Sequence, residues 1–240
     1  MDRAAGQPGI ISPREAYAME PRILQVRTKI LKANDTLARQ MREKFLSKGI
    51  FVSNWVSSPG SGKTLWLELT LRRMIQRGLR VAAIVGDLET DRDAQRLQRS
   101  GAAVRQIMTH GLCHLEADMV EREFNSWELG PIDHLFIENV GNLVCPTSWD
   151  LGESLRVGLL SVSEGEDKPL KYPGLFNTCD VVLLTKMDLA VACEFQRSFA
   201  IDNLQAVRPG IEVLDTSGKT LAGLNEWIDW LEGRRQVTLG

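Results

Sequence analysis

The 240-residue chain is 43% hydrophobic and 25% charged, with a formal net charge of −2. That profile fits a globular protein with one sizeable core and a modest appendage, and it gives no electrostatic reason to expect nucleic acid as a partner. No apolar run reaches the roughly 18 residues of a membrane span, and the N-terminus lacks the basic-then-apolar pattern of a signal peptide. The expected location is therefore cytoplasmic, with no membrane partner. Cys113, Cys145, Cys179 and Cys193 form no C-x-x-C pair, and a reducing compartment argues against structural disulfides.

Residues Met1 to about Glu20 contain Ala, Gly and Pro and read as poorly ordered. From Pro21 to Lys48, the apolar residues Ile23, Leu24, Val26, Ile30, Leu31, Leu37, Met41, Phe45 and Leu46 recur at helical spacing. The expectation is one long amphipathic helix against the outside of a nucleotide domain, with a partner-binding arm as the alternative. Phe51 to Ser57 is an apolar strand. A Gly-rich turn ending in Lys63-Thr64 follows, and Leu65 to Arg77 has the composition of a helix stopped by Gly78.

Strands are then expected over Arg80–Gly86, Val104–Ile107, His134–Val140, Val157–Val162, Asp180–Thr185 and Ile211–Leu214. Helices are expected over Asp91–Arg99, Leu112–Trp127 (opened by Cys113-His114), Ala190–Ala206 and Ala222–Leu231. Strands alternating with helices give an α/β fold whose mostly parallel sheet has helices on both faces, with ligands outside the carboxyl ends of the strands. The expected organisation is a tail and amphipathic helix over 1–48, a nucleotide-binding domain over 49–234 and a C-terminal tail over 235–240.

Strand, glycine turn and helix in that order make a phosphate cradle, here Pro59, Gly60, Ser61, Gly62, Lys63 and Thr64. Backbone N–H groups and the helix dipole face the phosphates, Lys63 adds positive charge, and the Thr64 hydroxyl is placed for Mg²⁺. Ser57 stands where the G-x-x-x-x-G-K-[ST] pattern has its first glycine. Thr185-Lys186-Met187-Asp188 selects guanine over adenine. The Asp188 carboxylate accepts from guanine N1–H and the exocyclic amine, and the stem of Lys186 covers the base. Thr216-Ser217-Gly218-Lys219 supplies backbone N–H groups toward O6.

Glu138, closing an apolar strand, is a Mg²⁺ carboxylate, and Gly141 lets the backbone approach the γ-phosphate. In Gly86-Asp87-Leu-Glu89-Thr90-Asp91-Arg-Asp93, Asp87 can reach Mg²⁺ or the attacking water, whereas Asp93 reads as a helix N-terminal acid. Cys113, His114 and Cys145 combine thiolate with imidazole, a set suited to Ni²⁺ or Zn²⁺. Cys179 and Cys193 read as ordinary core or surface residues.

These motifs, with Asp150-Leu-Gly-Glu153 and Ser163-Glu-Gly-Glu-Asp-Lys-Pro-Leu-Lys-Tyr-Pro173, resemble those of the hydrogenase nickel-incorporation GTPases over about Pro21 to Leu231. The resemblance implies a P-loop NTPase of the SIMIBI class with an N-terminal helical extension. It also implies a slow, Mg²⁺-dependent GTPase, binding GTP and GDP, that assists nickel insertion into the [NiFe] hydrogenase large-subunit precursor. A small zinc-containing nickel chaperone is the implied partner, and relatives tolerate Ser at the position of Ser57.

The rival is the urease accessory GTPase family, whose Cys-Pro-His motif differs from the contiguous Cys113-His114 and separate Cys145-Pro146 here. A second alternative is a metal-binding scaffold that uses nucleotide structurally. Ile107-Met-Thr-His-Gly-Leu-Cys113 departs from the Asn-Thr-Gly of relatives, and His110 reads as a surface residue. The first 109 residues hold neither Cys nor His, so nickel storage by this chain is not expected. Three ligands per chain leave a position for a second copy, so a GTP- or metal-dependent homodimer is expected.

Overall fold

The computed structural model describes residues 13–87 and 92–240; Glu89, Thr90 and Asp91 lie outside the described residues, as does the start of the expected tail. Helix α1 runs Pro13–Ser47. It begins well before the expected Pro21, because Arg14-Glu-Ala-Tyr-Ala-Met-Glu20 is a run dominated by helix formers. The chain divides between Ala33 and Asn34 into two compact units. In the second, Ala38, Met41 and Phe45 of α1 are buried in a cluster with Val52, Ile84 and Ile137. Their spacing of three and four puts them on one face of the helix.

Seven strands form one sheet in which every pairing is parallel: β1 (Phe51–Ser57), β2 (Val81–Asp87), β3 (Ala103–Met108), β4 (His134–Glu138), β5 (Leu155–Ser161), β6 (Val181–Thr185) and β7 (Glu212–Asp215). The strand order is β3-β2-β4-β1-β5-β6-β7. Every residue of β1 is buried, as a central strand covered on both faces requires. Its side chains alternate accordingly. Phe51 and Trp55 join the cluster containing Trp66, Leu67 and Leu71 of α2 (Lys63–Gln76) and Trp227 and Ile228 of α8 (Leu224–Leu239). Val52 joins the opposite cluster, with α1 and α4 (Ala117–Asn125).

The remaining helices are α3 (Arg92–Gln98), α5 (Lys168–Lys171), α6 (Pro173–Thr178) and α7 (Arg197–Val207). Helices α5 and α6 were not expected, α7 begins at Arg197 rather than near Ala190, and two further helix boundaries differ with consequence. Helix α4 starts at Ala117, after Glu116 in extended backbone, so Cys113-His114 lie in the preceding loop rather than opening the helix. Helix α8 continues to Leu239, so most of the stretch expected as a C-terminal tail is helical.

Parallel pairing sets the site. Trp55 of β1 and Val85 of β2 both stand opposite Glu138 of β4. The strand ends carrying Ser57, Asp87 and Glu138 therefore reach the same edge of the sheet, where a right-handed parallel fold collects its loops.

Candidate functional site

The turn after β1 takes its shape from Gly60 and Gly62, at φ 76° and 93°, a left-handed region in which a side chain is strained. Ser57 is not among the positive-φ residues, which explains why glycine is dispensable there. Its fully buried hydroxyl instead braces the turn, donating to Ser58 O at 2.9 Å and accepting from Ser61 Oγ at 2.7 Å. Lys63, 8% exposed, donates to Glu138 Oε1 and to Asn139 O, both at 2.7 Å. Thr64 Oγ1 reaches the same carboxylate oxygen at 2.6 Å.

The other oxygen, Glu138 Oε2, is buried without a partner. An orphaned carboxylate oxygen beside a threonine hydroxyl fits a divalent cation, so Thr64 and Glu138 suit Mg²⁺. The turn, Asp87, Asp93, Arg96, Val140 and Gly141 line a cleft of about 520 Å³. Asp93 thus has both roles: it is the acid in the first turn of α3, and it borders the cleft. Gly141 is pressed against the turn, since a Cβ there would come within 3.2 Å of the Pro59 backbone.

A second pocket of about 230 Å³ adjoins the turn, lined by Gly62, Leu65, Trp66, Lys186, Asp188 and Gly218 among others. Two bonds join the end of β6 and the residue after it to the phosphate turn: Thr185 Oγ1 to Ser61 O at 2.6 Å, and Lys186 Nζ to Gly60 O at 2.7 Å. They hold Lys186 in left-handed backbone, φ 59°, at a cost of roughly 1 kcal/mol. Ser217 Oγ donates to Asp188 Oδ1 at 2.5 Å, fixing the carboxylate. Gly218 packs against Leu65, which would have to shift for a Cβ placed 2.8 Å from its Cδ2. Lys219 lines the same pocket.

The third cluster is Cys113, His114 and Cys145, whose ligand atoms all lie within 4.8 Å of one another. The sequence expectation of no disulfide is corrected: Cys113 and Cys145 are joined, with Cα atoms 6.0 Å apart. Folding places the loop before α4 against the loop after β4, which no local spacing reveals. His114 is stacked on Trp149, ring centroids 4.4 Å apart. Its Nδ1 is 3.8 Å from Cys113 Sγ. Nε2 lies 3.4 Å from Glu116 Oε1, yet it is buried and makes no hydrogen bond. One imidazole with two cysteine sulfurs is a soft donor set, which in reduced form fits Ni²⁺ or Zn²⁺. His110 is exposed and lies outside this group. Cys193 is exposed. Cys179 is buried, and burial pushes its thiol up to about 12.

The family model described as "CobW/HypB/UreG, nucleotide-binding domain" matches residues 51–215. The hydrogenase maturation factor HypB of Azotobacter chroococcum mcd 1 is 43% identical over 230 residues, covering 95% of this chain and 75% of that protein. The chain belongs to the HypB family. Among solved structures, HypB from Helicobacter pylori in complex with nickel superposes with a TM-score of 0.81 at 39% identity, covering 86% of this chain and 97% of that one. HypB from Archaeoglobus fulgidus gives 0.78 at 34%, covering 85% and 99%. The fold is thus that of the SIMIBI P-loop GTPases, as the resemblance implies.

Sequence reasoning misses several residues that hold this HypB-type site together. Thr185 reads only as part of the base loop, yet it anchors the phosphate turn. Arg96, bonded to Glu68 Oε2 at 3.2 Å, borders the phosphate cleft from α3. Asn54, Asn139 and Glu153 form a buried polar line between strands. A polar residue at a core position of a central strand is the one signal that could have exposed it.

Proposed function

We propose that this protein is a slow, Mg²⁺-dependent GTP hydrolase whose nucleotide state governs delivery of nickel to the large-subunit precursor of [NiFe] hydrogenase. Nickel is the cargo, received from a small nickel chaperone and held by Cys113, His114 and Cys145, with Zn²⁺ a competitor for the same donors. The observation that carries this reading is the continuity of one loop. It leaves β4 at Glu138, bonded to Lys63 and Thr64, packs Gly141 against Pro59, and arrives at Cys145 beside Cys113 and His114.

In hydrolysis, Lys63 and the turn's N–H groups hold the β- and γ-phosphates, and Asp87 orients the attacking water. Thr64, Glu138 and Asp87 would hold Mg²⁺, which would supply charge neutralisation at the phosphates. Asp188, Lys186, Ser217, Gly218 and Lys219 select the guanine base. Three donors per chain leave one position of a four-coordinate site to water or to a second copy. A GTP-favoured homodimer with both clusters at a two-fold interface satisfies it.

Titration of Ni²⁺ into the reduced GDP-bound and GTP-analogue-bound protein, followed by calorimetry and size-exclusion chromatography, tests this. Different affinities in the two states, with dimer in the analogue-bound state, are expected. Equal affinities would overturn the coupling.

A further inference from the structure

Asn139, fully buried, has bonds toward both the phosphate cleft and the cysteine cluster. Its main-chain oxygen accepts from Lys63 Nζ at 2.7 Å. Its side-chain oxygen accepts from two backbone N–H groups, Val140 at 3.0 Å and Leu115 at 3.3 Å. Val140 borders the phosphate cleft, and Leu115 directly follows His114. One residue therefore touches the phosphate lysine through its main-chain carbonyl, and the cleft loop and the metal loop through its side-chain oxygen.

The orientation of this amide is dictated from behind. Glu153 is buried and ionised: burial raises its pKa, but the charge of Arg156 and hydrogen bonds from the backbone and Arg156 outweigh that and hold it at about 2. A carboxylate can only accept, so Asn54 must turn its NH₂ toward Glu153 Oε1, at 3.1 Å. Asn54 Oδ1 then faces Asn139, which donates its own NH₂ at 3.3 Å. The Asn139 oxygen is thereby left pointing at Leu115 and Val140. No flip is available without losing three bonds.

The metal loop is pinned at three points. Ala117 N donates to Asn34 Oδ1 at 2.8 Å, fixing its downstream end. Leu115 is fixed by Asn139 through its N–H, and its side chain fills the space above Gly86, where a Cβ would come within 2.7 Å of it. Gly86 immediately precedes Asp87. Leu115 is thus seated on the ends of both strands that carry the Mg²⁺ carboxylates.

We propose that Asn139 is the positioning residue through which the nucleotide state reaches Cys113 and His114. Lys63 gives two of its three N–H donors to Glu138 Oε1 and Asn139 O, and the β-phosphate takes the third, so a γ-phosphate is a fourth acceptor that draws Nζ toward itself and away from Asn139 O. The peptide of Asn139 then shifts. Its side-chain oxygen shifts with it and carries the Leu115 N–H, one residue from the His114 ligand. Interfaces packed this closely move between discrete arrangements rather than deforming smoothly.

The inference rests on the proposed coupling of nucleotide and nickel, and the experiment separates the two. Nickel affinity is measured by calorimetry in reduced unmodified protein and in Asn139→Ala, each loaded with GDP and with a GTP analogue. Coupled sites typically show a ratio of about 5–150-fold between states, and in Asn139→Ala that ratio should fall to within about twofold of one. GTP affinity should be retained, because the base pocket and phosphate turn stay intact. A merely structural role would weaken nickel binding in both states alike and leave the ratio unchanged. A preserved ratio in Asn139→Ala overturns the assignment of Asn139 alone, whereas a ratio of one in the unmodified protein overturns the coupling as well. Should Asn139→Ala fail to fold, amide hydrogen exchange at Leu115 in the unmodified protein decides. Protection that differs between the GDP and GTP-analogue forms supports the relay, and identical protection overturns it.

Discussion

Replacing Asp188 by Asn tests the guanine pocket with little disturbance to the fold. The carboxylate is exposed at the pocket wall, so its bonds to guanine N1–H and the exocyclic amine are won against water. Charge-assisted bonds of this kind are worth about 1.5–3 kcal/mol each when buried, and discounting for solvent leaves roughly 1 kcal/mol apiece. Two bonds give about 2 kcal/mol, a weakening of GTP binding of roughly 30-fold. The amide introduced by Asp188→Asn would also turn an NH₂ toward a base donor, so that figure is a lower bound.

The Ser217 hydroxyl, which now donates to Oδ1, can donate equally to the amide oxygen, so the melting temperature should not move. Displacement of a fluorescent GDP analogue by GTP, ATP and xanthosine triphosphate reads the outcome. Asp188→Asn should lose GTP and gain xanthosine triphosphate, whose base offers the complementary acceptor. The reasoning is refuted if ATP competes as well as GTP against the unmodified protein, or if the variant binds GTP within about threefold of it.

Thr64→Ala should abolish most Mg²⁺-dependent GTP turnover while leaving the melting temperature nearly unchanged, because Glu138 keeps its bond from Lys63. Lys63→Ala should abolish turnover and also destabilise the nucleotide-free protein. It strands the nearly inaccessible Glu138 carboxylate, a loss of the order of 3–5 kcal/mol in buried pairs, readable by chemical denaturation. Ni²⁺ binding should appear only after the Cys113–Cys145 disulfide is reduced, and Cys113→Ala with Cys145→Ala should abolish it in either redox state. Glu153, held at about 2 against an ordinary 4.5, contributes stability that is complete above pH 4.5 and is lost as pH falls through about 2. Glu153→Gln should lack that acid-sensitive component in denaturation curves at pH 3 and 7, and should be less stable at pH 7 because Arg156 loses its counter-charge.

The strands, the phosphate turn and the base loops were legible because local pattern and final environment agree. Phe51 to Ser57 reads as a buried strand and is one, and Gly60 and Gly62 occupy the left-handed backbone that only glycine adopts without strain. The start of α4 was not legible. Leu112 to Trp127 has apolar spacing fit for a helix, yet 112–116 form no helix, with bends at 113–114 and Glu116 in extended backbone. The reason is long-range: the Leu115 N–H is taken by Asn139 and the Ala117 N–H by Asn34, partners that no local propensity encodes. The same tertiary contacts that overrule the helix put Cys113 and His114 in a loop, where their donor atoms can turn toward Cys145. A helix begun at Leu112 would have carried these side chains on a rigid turn, with no bond to the loop that leaves Glu138. The failed boundary and the metal cluster therefore have one cause, in that 112–116 stay out of the helix while the Leu115 N–H is held by Asn139 of the loop after β4 and the Ala117 N–H by Asn34 of α1.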